Sequence, residues 1–238
     1  KIFAQKLLVG RTFLANQTVN GERQITAIGG GGPADFSVWA LTPGLVDLHC
    51  HGGQGFDPEL NERPLPEFLT ILLCHGVTDV LLTLGAEPLP TMRRALAVVQ
   101  TAMQQQAAGK LPGAHILGVH LEGPFLSPER PGAMPPAALL PPTLAAYQTL
   151  VQGYESVIRQ VTLAPELPGA LELGAALAAR GIRVQAGHTD ADYETAHVLF
   201  LLDLQVCANL HACRPLRHRD PGVVAAALLD PNVTTECI

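Results

Sequence analysis

Two histidines separated by one residue follow a short apolar run near the start of the chain, within the segment PGLVDLHCHGG at 43–53. Side chains alternate along a strand, so Asp47, His49 and His51 would point to one face of it. Neutral imidazoles bind divalent ions such as zinc or iron, and two of them at a strand end could hold one ion. Surface or hydrogen-bonded histidines give the same pattern, but the position after a Pro-Gly turn and an apolar strand favours a metal site.

A glutamate at the end of a later apolar run offers a second type of ligand. The segment GVHLEGP at 118–124 would place His120 and Glu122 on one face of a strand that the Gly-Pro pair ends. A carboxylate that faces a barrel interior is costly unless it meets a cation. Glu122 is therefore a natural metal ligand that could bridge two ions, with a structural ion pair as the alternative. His120 lies one step deeper and is expected to pack or to support other side chains.

His188 is a suitable third ligand. The segment QAGHTD at 185–190 places it at the end of a strand, with Thr189 or Asp190 predicted to cap the next helix. Further along, the segment HACRPLRHRDPG at 211–222 carries three arginines and two histidines. Such a loop could hold a phosphate, although a solvated basic loop explains the composition nearly as well.

The pattern of the chain from Leu41 onward indicates how these residues would be brought together. Short apolar runs alternate with segments of helical period, which is typical of β/α units and a parallel sheet. We predict seven strands, at Gly44–His49, Thr78–Leu82, Ile116–Leu121, Ser156–Leu163, Arg183–Ala186, Gln205–Leu210 and Val233–Ile238. We predict helices at Pro66–His75, Pro90–Ala108, Thr143–Gly153, Pro168–Arg180, Asp190–Leu202 and Pro221–Leu229. Seven units are one short of a (β/α)8 barrel, in which active sites form at the carboxyl ends of the strands.

The first forty residues have a different pattern from the rest. Short β-like segments at Lys1–Val9, Arg11–Leu14 and Arg23–Ile28 are separated by turn residues, which indicates a small β layer. We therefore predict two domains: residues 1–40 in a small β domain, and residues 41–238 in an α/β barrel that lacks its last strand. The proline-rich stretch Pro131–Pro142 is interpreted as an active-site loop.

Composition limits the class of partner. Hydrophobic residues make up 47% of the 238 positions, and the net charge of −6 comes without a dense run of Lys or Arg. Nucleic acid and anionic membranes are therefore not expected as partners, whereas a small molecule is. No apolar stretch reaches the ~18–20 residues that span a bilayer, so a cytoplasmic location is expected. The five scattered cysteines indicate reduced thiols rather than a disulfide framework or a thiolate zinc site.

Five motifs together resemble the N-acetylglucosamine-6-phosphate deacetylase family of the amidohydrolase superfamily. They are PGLVDLHCHGGQGFD (43–57), GVHLEGPFLSPERPGA (118–133), VTLAPE (161–166), AGHTDA (186–191) and RPLRHRDPG (214–222), in the family's order and spacing. The resemblance implies a metal-dependent (β/α)8 TIM-barrel hydrolase fold, incomplete here, with a small β-sandwich portion. It also implies hydrolysis of the acetamide of N-acetylglucosamine-6-phosphate to glucosamine-6-phosphate and acetate by a metal-activated water. One or two divalent ions, zinc or iron, and a homodimer are expected with it.

The resemblance also assigns roles to individual residues. Glu122 and His188 match the principal metal ligands of the family, and His49 and His51 match a second metal site present in many members. The expected substrate-binding residues are Arg219 for the phosphate, in family dimers reaching into the neighbouring subunit's site, and Ala212, Ala133 and Met134 around the sugar phosphate.

Some positions depart from the family pattern. The slot of a further metal-binding histidine holds Ala208 or Asn209, according to the alignment, and His211 could serve only if its loop is shifted. Met134 stands where the family has a histidine that contacts the sugar, which should weaken recognition of the sugar hydroxyls. The family's catalytic aspartate would lie beyond Ile238, so the sequence assigns no catalytic residue within the chain.

Two alternatives remain open at this point. One is a truncated or degenerate family member that binds metal or sugar phosphate without catalysis. The other is an amidohydrolase that acts on a cyclic amide, which would share the His-x-His strand; the HLEGPF segment argues against it.

Overall fold

A computed structural model describes residues 1–22, 24–30, 32–59, 64–201 and 212–236, together with the backbone of residues 207–209. The chain divides into two compact units, Lys1–Leu45 and Val46–Ile238. Within the described ranges, no helix is long and apolar enough to cross a membrane.

The first unit is a sheet whose described strands are β1 (Ile2–Val9), β2 (Thr12–Gly21), β3 (Ile25–Ile28) and β4 (Phe36–Leu41). The strand order is β3-β2-β1-β4, with β1 antiparallel to β2 and parallel to β4. This sheet is the predicted small β layer, but β2 extends well past the predicted end at Leu14. Strand β4 was not predicted, because its pairing partner β1 is some thirty residues earlier in the chain. A small core of Ala4, Leu7 and Val19 lies in this sheet.

The second unit contains the β/α repeats. Its described strands are β5 (Leu45–Cys50), β6 (Val77–Leu84), β7 (His115–Glu122), β8 (Ile158–Leu163), β9 (Arg183–Ala186), β10 (Cys207–Asn209) and β11 (Thr234–Glu236). Its described α-helices are α1 (Leu65–Cys74), α2 (Leu89–Ala107), α3 (Leu144–Val151), α4 (Ala170–Ala178), α5 (Tyr193–Phe200) and α6 (Gly222–Leu229). Each predicted strand and helix overlaps one of these elements, and the parts of the predictions at 202, 205–206, 210 and 237–238 lie outside the described residues. The predicted start at Ser156 is wrong, because Glu155–Val157 form a 3-10 turn before β8.

The strands of this unit form one sheet in sequence order, from β5 at one end to β11 at the other. From β6 to β11, each described pairing of neighbouring strands is parallel. His49 on β5 and Glu236 on β11 nevertheless approach to 2.7 Å, although their strands lie at opposite ends of this order. The sheet therefore curls back on itself, as an incomplete TIM barrel does.

The apolar core lies between the sheet and the helices that follow its strands. Strands β6 and β7 are buried over their last five residues, because side chains on both faces are covered. Leu82 on β6, Leu121 on β7 and Leu96 on α2 are fully buried in one cluster. The carboxyl ends of these strands are consequently fixed in position by packing on two sides.

Helix α5 begins differently from the prediction. Its N-cap is Asp192, whose side chain accepts a hydrogen bond from the amide of Thr195. The side chains of Thr189 and Asp190, the predicted caps, have other partners: the hydroxyl of Thr189 donates to Glu166, and the carboxylate of Asp190 accepts from Arg130. The prediction was wrong because residues from other segments of the chain bind both side chains.

Gly118 in β7 lies at a tightly packed position of the sheet, so its substitution measures how much room the packing leaves. Its φ is +146°, and an added Cβ would lie 2.5 Å from the carbonyl oxygen of Val157. Gly76, with φ +83° and open space around its Cα, is a matched control. We expect Gly76→Ala to cost about 1 kcal/mol of unfolding free energy from backbone strain. Gly118→Ala should cost about 1–3 kcal/mol more from overpacking.

Urea unfolding followed by circular dichroism would measure both glycine variants. Equal losses of unfolding free energy in Gly118→Ala and Gly76→Ala would contradict the tight packing of β7 against β8.

Candidate metal-binding active site

The side chains of His49, His51, Glu122 and His188 converge at the carboxyl ends of the strands. His51 Nε2 lies 2.9 Å from Glu122 Oε2, and His49 Nε2 and His188 Nε2 each lie 3.3 Å from Glu122 Oε1. The two Nε2 atoms of His49 and His51 are 3.1 Å apart. The structure thus brings together these predicted ligands around one carboxylate.

This group has the chemistry and the spacing that a divalent metal ion requires. One ligand atom each from His49, His51 and Glu122 lie within 4.8 Å of one another. Imidazole nitrogens and a carboxylate are donors that suit zinc, iron and similar ions. The cluster could therefore bind a metal ion.

Glu122 is the electrostatic centre of the cluster. Its side chain is only 4% exposed, and burial alone would raise its pKa. Hydrogen bonds from His188, His49 and His51 outweigh burial and hold the pKa of Glu122 well below its usual range. For His49, burial lowers the pKa, but hydrogen bonds to Glu122 and Glu236 outweigh it and raise the pKa to about 9. The centre therefore carries a buried negative charge that is stabilised by hydrogen bonds from the surrounding imidazoles.

His120 lies beside this cluster in the barrel interior. It is fully buried, and its ring meets that of His49 edge to face with centroids 4.8 Å apart. Burial, reinforced by the charge of His49, lowers the pKa of His120 to about 3. It is a neutral supporting residue, in agreement with the expectation from its position in the strand.

The segment before the proline-rich stretch sets the orientation of His188. His188 has φ +47°, and its Nδ1–H donates to the carbonyl oxygen of Arg130 at 3.1 Å. Its own carbonyl oxygen accepts from the amide of Ser127 at 2.9 Å. A Cβ on Gly132 would lie 2.9 Å from the His188 ring, so only glycine fits there. The Nε2 atom is thereby directed at Glu122.

Glu166 secures the other side of the His188 loop. It ends the VTLAPE motif after β8, and its carboxylate accepts from the amide of Asp190 at 2.7 Å and from the hydroxyl of Thr189 at 2.5 Å. Sequence reasoning used Glu166 only as part of a motif and gave it no role. The structure shows that it connects the ends of two neighbouring strands.

A cavity of about 450 Å³ opens onto the metal-binding cluster. Its described lining residues are His49, His51, Asp57, Glu59, Gly85, Glu87, Glu122, Gly132, Ala133, Met134 and His188. Met134 and Ala133, predicted to bind substrate, therefore lie at this cavity. The thioether sulfur of Met134 accepts from the amide of Ala86 at 3.2 Å. Asp57, Glu59 and Glu87 form an acidic wall that the sequence interpretation did not anticipate, because isolated acidic residues in loops carry no pattern.

Glu59, one residue of this wall, has a raised pKa. Its Oε1 accepts from the amide of Gly85 at 2.5 Å. Burial raises the pKa of Glu59 to about 8, and the nearby Asp57 acts in the same direction. Glu59 is therefore protonated at neutral pH and can present a hydroxyl to the cavity.

The remaining predicted residues are less closely associated with the cavity. Ala212, with φ +40°, lies next to Gly132 at the His188 loop. Arg219 is exposed and is not among the described residues that line the cavity. Arg214 binds Asp220 at 2.9 Å, so this arginine of the basic loop has a structural role. His211 lies outside the described residues, and it remains a prediction.

The described thiols of Cys50 and Cys213 are held in their protonated form. Burial raises the pKa of Cys50 to about 11 and that of Cys213 to about 12. Together with Cys74, they are free cysteines among the described residues.

Removing the Glu166 carboxylate should loosen the His188 loop. Hydrogen bonds to a charged group contribute about 1.5–3 kcal/mol each, so Glu166→Ala should lower the unfolding free energy by at least about 2 kcal/mol. Urea unfolding measures this loss, and zinc titration measures the expected weaker metal binding. Glu172→Ala, an exposed glutamate on α4, is the control. Equal effects of the two substitutions would contradict the role of Glu166.

The raised pKa of Glu59 predicts a pH-dependent cost to stability. Its pKa rises from 4.5 to about 8 on folding, so between these values the unfolded chain loses a proton that the folded chain keeps. Stability should fall as pH rises through this window, by up to about 1.4 kcal/mol per pH unit. The Glu59→Gln substitution removes this pH-dependent contribution to stability, because an amide does not titrate.

Chemical unfolding of wild type and Glu59→Gln, with chelator present from pH 5 to 8, would test this expectation. The variant should gain stability relative to wild type as pH rises. A difference that stays constant across the range would show that Glu59 is ionised in the folded chain.

Comparison with known proteins agrees with the geometry of the site. No family model matches the chain. The N-acetylglucosamine-6-phosphate deacetylase of Vibrio furnissii is 34% identical over 229 residues, which cover 95% of this chain and 55% of the relative. The chain spans about half the length of the curated relatives it matches.

Solved structures of the same kind superpose on the described fold. The N-acetyl-D-glucosamine-6-phosphate deacetylase of Mycobacterium smegmatis matches with a TM-score of 0.86 and 28% identity, covering 98% of this chain and 67% of that one. Its D267A mutant in complex with N-acetyl-D-glucosamine-6-phosphate matches with a TM-score of 0.85 and 29% identity, covering 98% and 61%. On these similarities and the motifs that line its cavity, the chain belongs to the N-acetylglucosamine-6-phosphate deacetylase family.

Proposed function

We propose that this chain forms the metal-binding part of a deacetylase that hydrolyses the acetamide of N-acetylglucosamine-6-phosphate to glucosamine-6-phosphate and acetate. The observation that carries the proposal is the buried Glu122 carboxylate, surrounded by His49, His51 and His188 at the mouth of a cavity. An amide is a poor electrophile with a poor leaving group, so its hydrolysis needs strong electrostatic assistance. A divalent ion held by this carboxylate and these imidazoles would supply that electrostatic assistance.

The residues that would hold the ion are Glu122, His188, His49 and His51, with His211 as a further candidate. A divalent ion bound there would polarise the amide carbonyl and lower the pKa of water. We favour zinc or iron because imidazoles predominate among the donors, and one or two ions are compatible with four side chains.

The cavity wall would bind the sugar. The protonated carboxyl of Glu59 can donate a hydrogen bond to a substrate oxygen, whereas Met134 offers an apolar surface and Ala133 a small one. Ala212 and Arg219 are proposed to approach the phosphate, Arg219 from the neighbouring subunit of a homodimer. A cytoplasmic location is part of the same proposal, since a sugar phosphate is an intracellular metabolite.

Substitution of Glu122 tests the proposal. Loss of this ligand should remove several kcal/mol of transition-state stabilisation, so Glu122→Gln should lower kcat/KM at least ~100-fold and reduce the zinc bound per chain. His115→Gln, an exposed histidine that pairs with Asp79, is the control and should retain both. The measurements, made on the full-length protein, are acetate release from N-acetylglucosamine-6-phosphate and metal content by mass spectrometry.

The same assay distinguishes the alternatives. A zinc-loaded, full-length protein that binds N-acetylglucosamine-6-phosphate but releases no acetate would favour a non-catalytic binding protein. Release from N-acetylgalactosamine-6-phosphate at an equal rate would show that the wall around Met134 does not select the sugar.

A further inference from the structure

Glu236 approaches the metal-binding cluster from the far end of the sheet. Its Oε2 lies 2.7 Å from Nδ1 of His49, and its side chain is only 15% exposed. The other ring nitrogen of His49, Nε2, faces Glu122 at 3.3 Å and His51 at 3.1 Å. The two nitrogens of one imidazole are thus divided between a supporting carboxylate and the ligand cluster.

We propose that Glu236 is a positioning residue that keeps the proton of His49 on Nδ1 and thereby turns Nε2, without a proton, toward the metal ion. The inference deepens the proposed function and rests on its metal centre. An ionised carboxylate only accepts hydrogen bonds, so Nδ1 must donate. A ligating nitrogen must carry no hydrogen, and the partner of the other nitrogen decides which one that is.

Glu236 is itself held by a neighbouring amide. Its Oε1 accepts from Nε2 of Gln160 on β8 at 3.2 Å, and the same Nε2 donates to Oε1 of Gln185 on β9 at 3.0 Å. The carboxylate therefore meets a donor from β5 at Oε2 and one from β8 at Oε1, and the side chain of Gln185 on β9 also hydrogen-bonds to it. A carboxylate bound at both oxygens has little freedom to rotate away from His49.

The hydrogen bonds behind Gln185 have one consistent direction. The hydroxyl of Thr162 donates to Gln185 Oε1 at 2.7 Å, so Thr162 must accept from Nε2–H of His120 at 2.7 Å. Nδ1 of His120 then accepts from the hydroxyl of Thr83 at 3.3 Å. This chain of donors is consistent with Gln185 accepting through Oε1 from both Thr162 and Gln160. Because a carboxylate can only accept, the amide of Gln160 points its N–H at Glu236.

The sequence pattern is compatible with this role. Glu236 pairs with Asn209 at the carboxyl end of β11, the same end of the sheet at which Glu122 lies on β7. Sequence reasoning gave Glu236 no role because its partner His49 is 187 residues away. Only the curl of the sheet brings them together.

Removal of the carboxylate should weaken metal binding without removing a ligand. Loss of such a supporting partner typically weakens metal affinity 10–100-fold. We expect Glu236→Ala to raise the zinc Kd by that factor. Glu236→Gln keeps an accepting oxygen and should lose less. Glu194→Ala, an exposed glutamate on α5, is the control and should leave the Kd unchanged.

The proton on His49 can be observed directly. Long-range ¹H–¹⁵N spectra of the zinc-loaded, ¹⁵N-histidine-labelled chain should show Nδ1 protonated and Nε2 bound to zinc in wild type. In Glu236→Ala this assignment should be lost or mixed, and circular dichroism should confirm that the variant is folded. If Glu236→Ala is unfolded, the comparison between Glu236→Gln and wild type decides, because the isosteric amide keeps the packing.

Several outcomes would overturn the inference: ligation of zinc through Nδ1 of His49, an unchanged Kd in both Glu236 variants, or a wild-type chain that binds no zinc. The test is separate from that of the deacetylase activity. A chain that binds zinc with the expected His49 tautomer but releases no acetate leaves the role of Glu236 intact and contradicts only the proposed function.

Discussion

The burial of the Glu122 carboxylate is the constraint on which the site depends. A buried charge costs several kcal/mol unless cationic or metal partners compensate for it, and here the imidazoles of His49, His51 and His188 lie within 3.3 Å of its oxygens. Those partners come from the end of β5 and from the loop after β9, whereas Glu122 ends β7. The carboxyl ends of these three strands must therefore lie side by side. The apolar packing of β6 and β7 against the helices holds the strand ends at that level.

Two sets of contacts keep the imidazoles aimed at Glu122. His188 is oriented by the carbonyl of Arg130, and its loop is held by the carboxylate of Glu166. His49 meets Glu236, which is fixed in turn by Gln160. In both cases the outer ring nitrogen donates to an oxygen, which leaves Nε2 available at the centre. The barrel interior is thus polar where it supports the site, while its outer face is apolar where helices cover it.

In the cavity beside the cluster, the residues proposed to contact the sugar are separate from those proposed to hold the metal ion. The proposed ligands are located on strand ends, whereas Glu59 and Met134 belong to loops that bind backbone amides at the end of β6. Loops tolerate substitution more readily than buried strands. A thioether at position 134 and a protonated carboxyl at position 59 would therefore adjust the substrate contacts alone.

Local patterns in the sequence determined the β/α order, the shared face of His49 and His51, and that of His120 and Glu122, because side-chain alternation and helical period act over a few residues. Contacts between distant segments could not be predicted in this way. The parallel pairing of β4 with β1, the capture of Asp190 by Glu166 and the approach of Glu236 to His49 all depend on how the sheets are ordered and curled. Tertiary structure alone decided them, because the free energy of each contact appears only when segments far apart in the chain pack together.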